Sequence, residues 1–535
     1  MSGLISFGIR NGFFSSISML ISAITLNAAP GGAGHEYDGV TIDKDSTCKQ
    51  IELQASMTID PSRKINIYSS RLFGYNDGWI RTNSGQKISV TPVQASSTLL
   101  PVKKEYLNAL AEIPLTMTRM SGTDSEYIQW KESIGPADQR KKQKIVWSTT
   151  KILYGPVEWI FNTRKLHPDA EFVWVVNMHS DTPENARDLA EFFTGGTSTV
   201  WGRKRIEYGL KKPMKPAIWE LGNEMDWGKE KISIDEYIKR CHAYIRAIRS
   251  VQPDAVFAAL ATSSPWRPDR AKNWKEWHRK VLAELGPDIH YLSFHPYYRG
   301  MSPKALIPYL DIISQDILNS SNPEIKLYLS EHSIWPGTGG VNSKKWKDSW
   351  WQGRALSSCL NTAEWCILML HQPMVKAMSY HCLTGGCAWG LIWYDKKLDK
   401  YFTTGLADMF KLFATVPYGS DVVFSSLTGP GTDWRKQDSS FVSAAVVSTD
   451  GNKLYLLLDN RLPTTARKIV VDIVGGKKYY LSQTMELTAS SMNDINTATE
   501  RPIRLTTSIV KDSAPFSSCT IPARTLKLLI LEKVK

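Results

Sequence analysis

The sequence predicts an α/β protein: a (β/α)8 TIM barrel with a C-terminal antiparallel β-sandwich domain. Three observations predict it. Eight short apolar runs alternate with helical stretches between residues 65 and 416. From about Pro417 onward the texture changes to short β-like runs separated by Gly, Asn, Pro and Ser. No G-x-G-x-x-G follows an early strand, which counts against the rival architecture, an open doubly wound sheet.

Taken in order, residues 1–29 read as a signal peptide. Arg10 closes a short basic region, and Phe13–Leu26 is apolar but too short to span a bilayer. Asn27-Ala28-Ala29 then supplies small residues for cleavage. No later stretch holds the ~18–20 uninterrupted apolar residues of a membrane helix. The expectation is an exported protein, secreted or periplasmic, with no stable membrane insertion after cleavage. Residues 30–64 hold a Gly-rich link (Gly31–Gly34) and a partly alternating stretch, Cys48–Ile59, that joins the sandwich as a strand.

The barrel is expected at 65–416, with strands near Ile67–Gly74, Ile113–Arg119, Glu171–Met178, Ala217–Glu224, Ala255–Ala261, Ile289–His295, Lys326–Glu331 and Ala377–Tyr380. Helical stretches lie between several of them: Gly155–Leu166, Glu184–Phe193, Ile234–Val251, Trp274–Leu285, Lys304–Asn319 and Gln352–Leu370. The sandwich is expected at 417–535, from the runs Phe441–Val447, Leu454–Leu458, Lys468–Ile473, Tyr479–Leu481 and Leu526–Leu531.

Composition narrows the function. The chain has 535 residues, 42% apolar and 22% charged, which excludes a disordered or fibrous protein. Its 19 Trp and 21 Tyr suit stacking on sugar rings, although most such rings serve as core anchors. The net charge of +13 attracts polyanions. The densest basic runs are Arg140–Lys144, Arg203–Arg205 and Lys211–Lys215, with no zinc-finger spacing, RNP pattern or basic heptads, so no nucleic-acid partner is expected. Seven cysteines include no C-x-x-C pair, so neither zinc nor thioredoxin chemistry is supported. Cys382 and Cys387 are near neighbours in an exported chain, where disulfides form, and the odd count leaves one thiol over.

Catalytic groups of a barrel project from the C-terminal ends of its strands. Strand four ends Trp219-Glu220-Leu221-Gly222-Asn223-Glu224, and strand seven ends Leu329-Ser330-Glu331-His332. Strand six ends His295-Pro296-Tyr297-Tyr298, and strand two ends at Arg119. Two carboxyls on one rim are what glycoside hydrolysis requires: one protonated for the leaving oxygen, one ionised for the anomeric carbon. Arg119 beside Glu331, and a hydroxyl from Tyr297 or Tyr298, would favour the ionised form. Glu224 is expected to keep the higher pKa of an acid/base. The amide of Asn223 is placed to bind the sugar 2-OH. Singly, each residue has a bland use: Glu224 as a helix cap, Glu331 as half of an ion pair, His295 as a structural histidine. Their ordering on strands two, four, six and seven is the stronger signal.

With these residues in view, the sequence resembles the clan of retaining barrel glycosidases whose two glutamates stand on strands four and seven. Within it, the sequence is similar to glycoside hydrolase family 51, the α-L-arabinofuranosidases. The similarity is carried by Phe73-Gly74, by Tyr127-Ile128-Gln129-Trp130-Lys131 through Gly135-Pro136 to Arg140, and by Trp201-Gly202-Arg203. It continues in Trp219 to Asp226 (W-E-L-G-N-E-M-D), in Ser293 to Tyr298, and in Leu458-Asp459-Asn460-Arg461. The resemblance implies Glu224 as acid/base, Glu331 as nucleophile, Asn223 as amide partner, Tyr297 or Tyr298 as the tyrosine orienting the nucleophile, and Trp335 as the tryptophan after it. It implies no cofactor and no metal.

The departures concern sugar recognition. Where the family has R-Y-P-G-G-N, this chain has Arg119-Met120-Ser121-Gly122-Thr123-Asp124, so Thr123 or Asp124 replaces the furanose-binding Asn. Asn76-Asp77 stands near the place of the first-strand glutamate, and His381 or Cys382 near that of the strand-eight glutamine. Changed hydrogen-bonding groups imply a changed substrate. The reading is thus a retaining glycoside hydrolase acting on a plant or algal oligo- or polysaccharide, with the basic balance suggesting an anionic one. The alternatives are a β-glycanase or a uronate- or sulfated-glycan-specific glycosidase of the same clan, or an inactive carbohydrate-binding protein.

Overall fold

The computed structural model describes residues 53–77, 102–120, 122–146, 149–265, 273–298, 303–337, 343–384, 388–436, 438–510 and 514–533. The expected signal peptide, Cys48 and Cys387 lie outside them, so the near-neighbour cysteine pair is not described.

Eight parallel strands close into a barrel: Gly74–Asp77, Met117–Met120, Glu171–Val176, Ile218–Leu221, Phe257–Leu260, Tyr291–Phe294, Lys326–Ile334 and Val375–His381. Strand seven pairs with both six and eight, Leu327 lying opposite Leu292 and Val375, and strand eight pairs with strand one through Ser379 and Gly74. No edge remains to be protected. Met117, Val173, Ile218, Ala258, Tyr328 and Ala377 fill the barrel as an inward-facing layer. Strand side chains alternate, so inward positions recur two residues further on. That step brings Arg119, Glu220, Ser330 and Ser379 to the next level, all buried. A polar level above an apolar one marks the rim where chemistry sits.

The first strand departs from expectation. Ile67 ends a long strand of the other sheet, Leu53–Ile67, and Ser70–Phe73 is a 3-10 turn, with the Ser69 hydroxyl accepting from the Arg71 N–H at 3.2 Å. Leu72 and Phe73 are apolar because they are buried, not because they form a strand.

The helices follow their apolar periodicity. Ile234–Arg249 starts where the Ser233 hydroxyl accepts from the Glu236 N–H, a cap contributing ~1 kcal/mol, and it buries Tyr237, Ile238, Cys241, Tyr244, Ile245 and Ile248 at helical spacing. Leu356–Leu370 lies between the barrel and the second sheet; of its residues only Ser357 and Asn361 escape burial, which explains its all-round apolar sequence.

The second layer is one nine-stranded sheet. Its spatial order is Arg504–Ile509, Tyr479–Thr488, Thr525–Lys533, Lys453–Asn460, Phe441–Val447, Asp421–Thr428, Leu53–Ile67, Arg467–Ile473, Ser518–Ile521. The N-terminal strand Leu53–Ile67 lies antiparallel to Asp421–Thr428 and parallel to Arg467–Ile473. The sheet curls over its own core, which holds Met57, Phe441, Leu456 and Leu529. Alternate residues, among them Val442, Ala444, Tyr455, Leu457 and Leu528, belong to the core of the barrel side. Phe441–Val447 is therefore buried at every position. Among the described residues no helix is long and apolar enough to cross a membrane, and no cluster of three or more His, Cys, Asp or Glu is arranged to hold a metal.

Candidate active site

Arg119 organises the rim. Its guanidinium, fully buried, donates from Nε to Glu220 at 2.5 Å, from Nη1 to Glu331 at 2.7 Å and from Nη2 to the Asn223 side-chain oxygen at 2.6 Å. Three elements distant in sequence are thus locked by one rigid planar fork. Two carboxylates, Glu220 and Glu331, share this buried cation, so its charge is compensated within a low dielectric.

Glu331, 6% exposed, receives a second anchor from the Tyr297 hydroxyl, which donates to Oε2 at 2.6 Å. Two imidazoles face the same oxygen: His295 Nδ1 at 3.7 Å and His381 Nδ1 at 3.9 Å. Burial alone would push this carboxyl up. The charges of His295, His381 and Arg119, with the Tyr297 hydrogen bond, outweigh it and hold Glu331 well below the usual carboxylate range. It is the ionised member of the pair.

Glu224 stands across from it. His295 Nδ1 lies 2.8 Å from Glu224 Oε1 as well as 3.7 Å from Glu331 Oε2. The two carboxylate oxygens are therefore no farther apart than those distances laid end to end, a limit that accommodates the ~5–5.5 Å spacing of a retaining enzyme. Burial lowers the pKa of His295, but Glu331 and Glu224 outweigh it and the net shift is upward. Glu224 adopts φ +50°, a left-handed conformation costing ~1–3 kcal/mol for a non-glycine residue.

A further carboxyl sets the backbone here. Glu126 accepts from the Asn223 N–H at 2.6 Å and from the Met178 N–H at 3.0 Å, and its burial raises its pKa to about 8. Gly122 lies close against Glu331: a Cβ there would sit 2.9 Å from Glu331 Oε1.

The structure thus brings together Arg119, Asn223, Glu224, His295, Tyr297, Glu331 and His381, the last with its Nδ1 2.7 Å from the Asn76 side-chain nitrogen. Trp335 stands at the rim, its ring 5.7 Å from that of Tyr297. Two expected residues do not reach the pair. Tyr298 turns outward, its hydroxyl 3.3 Å from that of Thr362 and its ring stacked on Trp365, because neighbouring strand residues face opposite sides. Asp124 accepts from the Val146 N–H at 3.2 Å and so engages the neighbouring loop, while Thr123 is the residue that meets Asn223, at 3.4 Å. Glu220 and Glu126 were not expected. Strand parity would have found Glu220, two positions beyond inward-facing Ile218; nothing local in the sequence marks Glu126.

Tyr297→Phe removes one hydrogen bond to the charged form of Glu331, so the pKa of that carboxyl must rise. At ~1.5–3 kcal/mol for a hydrogen bond to a charged group, the acid limb of kcat/KM moves to higher pH by up to ~1–2 units. An acid limb at the wild-type position in a pH–rate profile would contradict this role.

Residues 111–299 match the family model of the alpha-L-arabinofuranosidase 1 domain. Among curated proteins, the chain is 27% identical over 253 residues to an intracellular exo-alpha-(1->5)-L-arabinofuranosidase of Streptomyces lividans, covering 46% of this chain and 37% of that one. A protein of the same name from Halalkalibacterium halodurans is 26% identical over 252 residues, covering 46% and 49%. The chain thus spans less than half the length of these relatives. Among solved structures, the GH51 alpha-L-arabinofuranosidase of Thermotoga petrophila superposes with a TM-score of 0.75 over 89% of this chain and 100% of that one, at 20% identity.

Proposed function

We propose, for a chain that belongs to glycoside hydrolase family 51 and carries its alpha-L-arabinofuranosidase 1 domain at residues 111–299, that it is a retaining glycoside hydrolase of the α-L-arabinofuranosidase type acting on plant or algal polysaccharide. The observation that carries this reading is one imidazole nitrogen of His295 facing both carboxylates, with one of them, Glu331, clamped in its ionised form by Arg119 and Tyr297.

The reaction runs in two displacements. Glu331 attacks the anomeric carbon as Glu224 protonates the leaving oxygen, forming a glycosyl ester. The proton comes from the Glu224–His295 pair, whose hydrogen bond holds it between a raised imidazole and a carboxylate. Glu224 then takes a proton from water, which attacks the same carbon and frees Glu331. Asn223, whose side-chain oxygen faces Arg119, presents its nitrogen to a sugar hydroxyl.

The test is a 2-deoxy-2-fluoro arabinofuranosyl donor with a good leaving group. A mass increment of one glycosyl unit on the peptide bearing Glu331 is expected; an unlabelled protein, or label elsewhere, sinks the reading and leaves a binding protein as the alternative. Export belongs to the same proposal and is supported by the apolar Phe13–Leu26 stretch followed by Asn27-Ala28-Ala29. Protein recovered from the medium of a secreting host for this experiment should begin near residue 30, and a retained N-terminus would count against export.

A further inference from the structure

Beyond the catalytic pair, Arg354 is a half-buried guanidinium that, among the described residues, is paired with neither a carboxylate nor a main-chain carbonyl. Arg354 ends the 3-10 turn Trp350–Arg354 in the connection after barrel strand seven. Its guanidinium carbon lies 3.9 Å over the ring of Trp393, in the hairpin Ile392–Asp395 with Lys400–Thr403 that follows strand eight. Among the described residues Arg354 forms no ion pair, and its Nε is buried with no hydrogen-bond partner. The sequence stretches 338–342 and 385–387, outside the described residues, contain no acidic residue. Burial, with no carboxylate acting on the group, brings its pKa down to about 10, so it is charged at neutral pH.

A largely desolvated guanidinium is costly unless something pairs with it. The arginines of the barrel and its flanks show the usual solution: Arg119 has two carboxylates, Arg140 has Glu158, and Arg205 is wrapped by main-chain carbonyls. Arg354 has only an indole beneath it, which leaves the edge of the fork unused.

The position ties it to the active site. Gly353, its neighbour, packs so closely on the strand-eight connection that a Cβ would lie 2.4 Å from the Ala388 carbonyl oxygen, which fixes the turn there. From Trp350, in the same turn, rings run to Trp346 at 5.3 Å, from Trp346 to Trp389 at 5.8 Å, and from Trp389 to Tyr297 at 5.5 Å. Tyr297 holds the nucleophile. A packed aromatic cluster therefore connects Tyr297, beside Glu331, to the turn that ends in Arg354.

We infer that Arg354 stacked on Trp393 is a subsite for an anionic group of the glycan, a carboxylate or a sulfate ester carried on a sugar unit beyond the one cleaved. The planar fork matches two oxygens of either group, and stacking on the Trp393 indole restricts the motion of the guanidinium. The net charge of +13 favours approach of such a polymer. This inference rests on the glycan-hydrolase reading above and deepens it.

The test measures binding, so that it does not depend on turnover. Calorimetric Kd values are compared for three probes: a glucuronate-bearing xylo-oligosaccharide, a sulfated galacto-oligosaccharide, and a neutral arabino-oligosaccharide. One of the two anionic probes should bind roughly tenfold or more tighter than the neutral one, and which of them does so identifies the source of the charge. Arg354→Met, which keeps an apolar stem on Trp393, should remove that preference, and Arg354→Lys should restore part of it. The wild-type preference should shrink as salt is raised, and that of the methionine variant should not. Equal affinity for all three probes in the wild type, or a preference that survives Arg354→Met in a protein with native circular dichroism, overturns the inference. If the probes bind with the expected preference yet release no sugar, the subsite stands and the hydrolase reading fails.

Discussion

Replacing Glu331 with alanine is expected to lower kcat by roughly 10⁴–10⁶-fold, the scale seen when a covalent nucleophile is removed from a working constellation. The fold should survive. Arg119 keeps Glu220 at 2.5 Å and Asn223 at 2.6 Å, so the buried cation is not left alone. The truncation opens space on the face from which the nucleophile attacks, and a small anion such as azide or formate can enter it. Azide should restore part of the turnover, because Glu224 still protonates the leaving group, and the product should be a glycosyl azide of inverted configuration. The measurement is the configuration of that product by proton NMR. Failure of azide to restore turnover with activated substrates, or residual activity near wild type, would remove Glu331 from the role.

Glu224→Ala should give the opposite signature. The first displacement no longer has its acid, so the loss depends on the leaving group: roughly 10²–10⁴-fold for a sugar alcohol, and little for a dinitrophenolate. Hydrolysis of the glycosyl ester also loses its base, so with the activated substrate the intermediate accumulates and a burst precedes slow turnover. Azide needs no base. It should speed that second step and give a glycosyl azide of retained configuration. Equal losses across leaving groups would show that Glu224 holds the site together without transferring a proton. The two variants thus give azides of opposite configuration, which makes the pair of experiments hard to satisfy by accident.

Much of this site was legible in the sequence because barrel strands end where chemistry begins. Apolar runs stopping in Asn223-Glu224 and in Ser330-Glu331, with Arg119 and Tyr297 at the ends of two others, give four strands delivering complementary groups to one rim. What a linear reading left open were choices settled by facing. Tyr297 and Tyr298 are adjacent and chemically alike; only the pleat sends one to Glu331 and the other to Thr362. Glu126 could not be read, because its task is to hold the main chain at Asn223 and Met178, and main-chain hydrogen bonding leaves no residue pattern at the partner positions. The apolar run ending at Phe73 reads as a barrel strand but forms a 3-10 turn, since burial and strand formation produce the same composition over a few residues. In the second sheet, Arg504–Ile509 was unreadable for the converse reason: it is a largely exposed edge strand with no apolar alternation.

The curled sheet constrains the protein's history in a way its sequence does not advertise. Because odd and even residues of Phe441–Val447 and Lys453–Asn460 answer to two different interiors, a slip of one position would exchange the side chains required by each. Neither half of that arrangement is spare. Insertions should be tolerated only in the turns, and exchanging this layer for an unrelated module would require rebuilding the flank of the barrel it packs against.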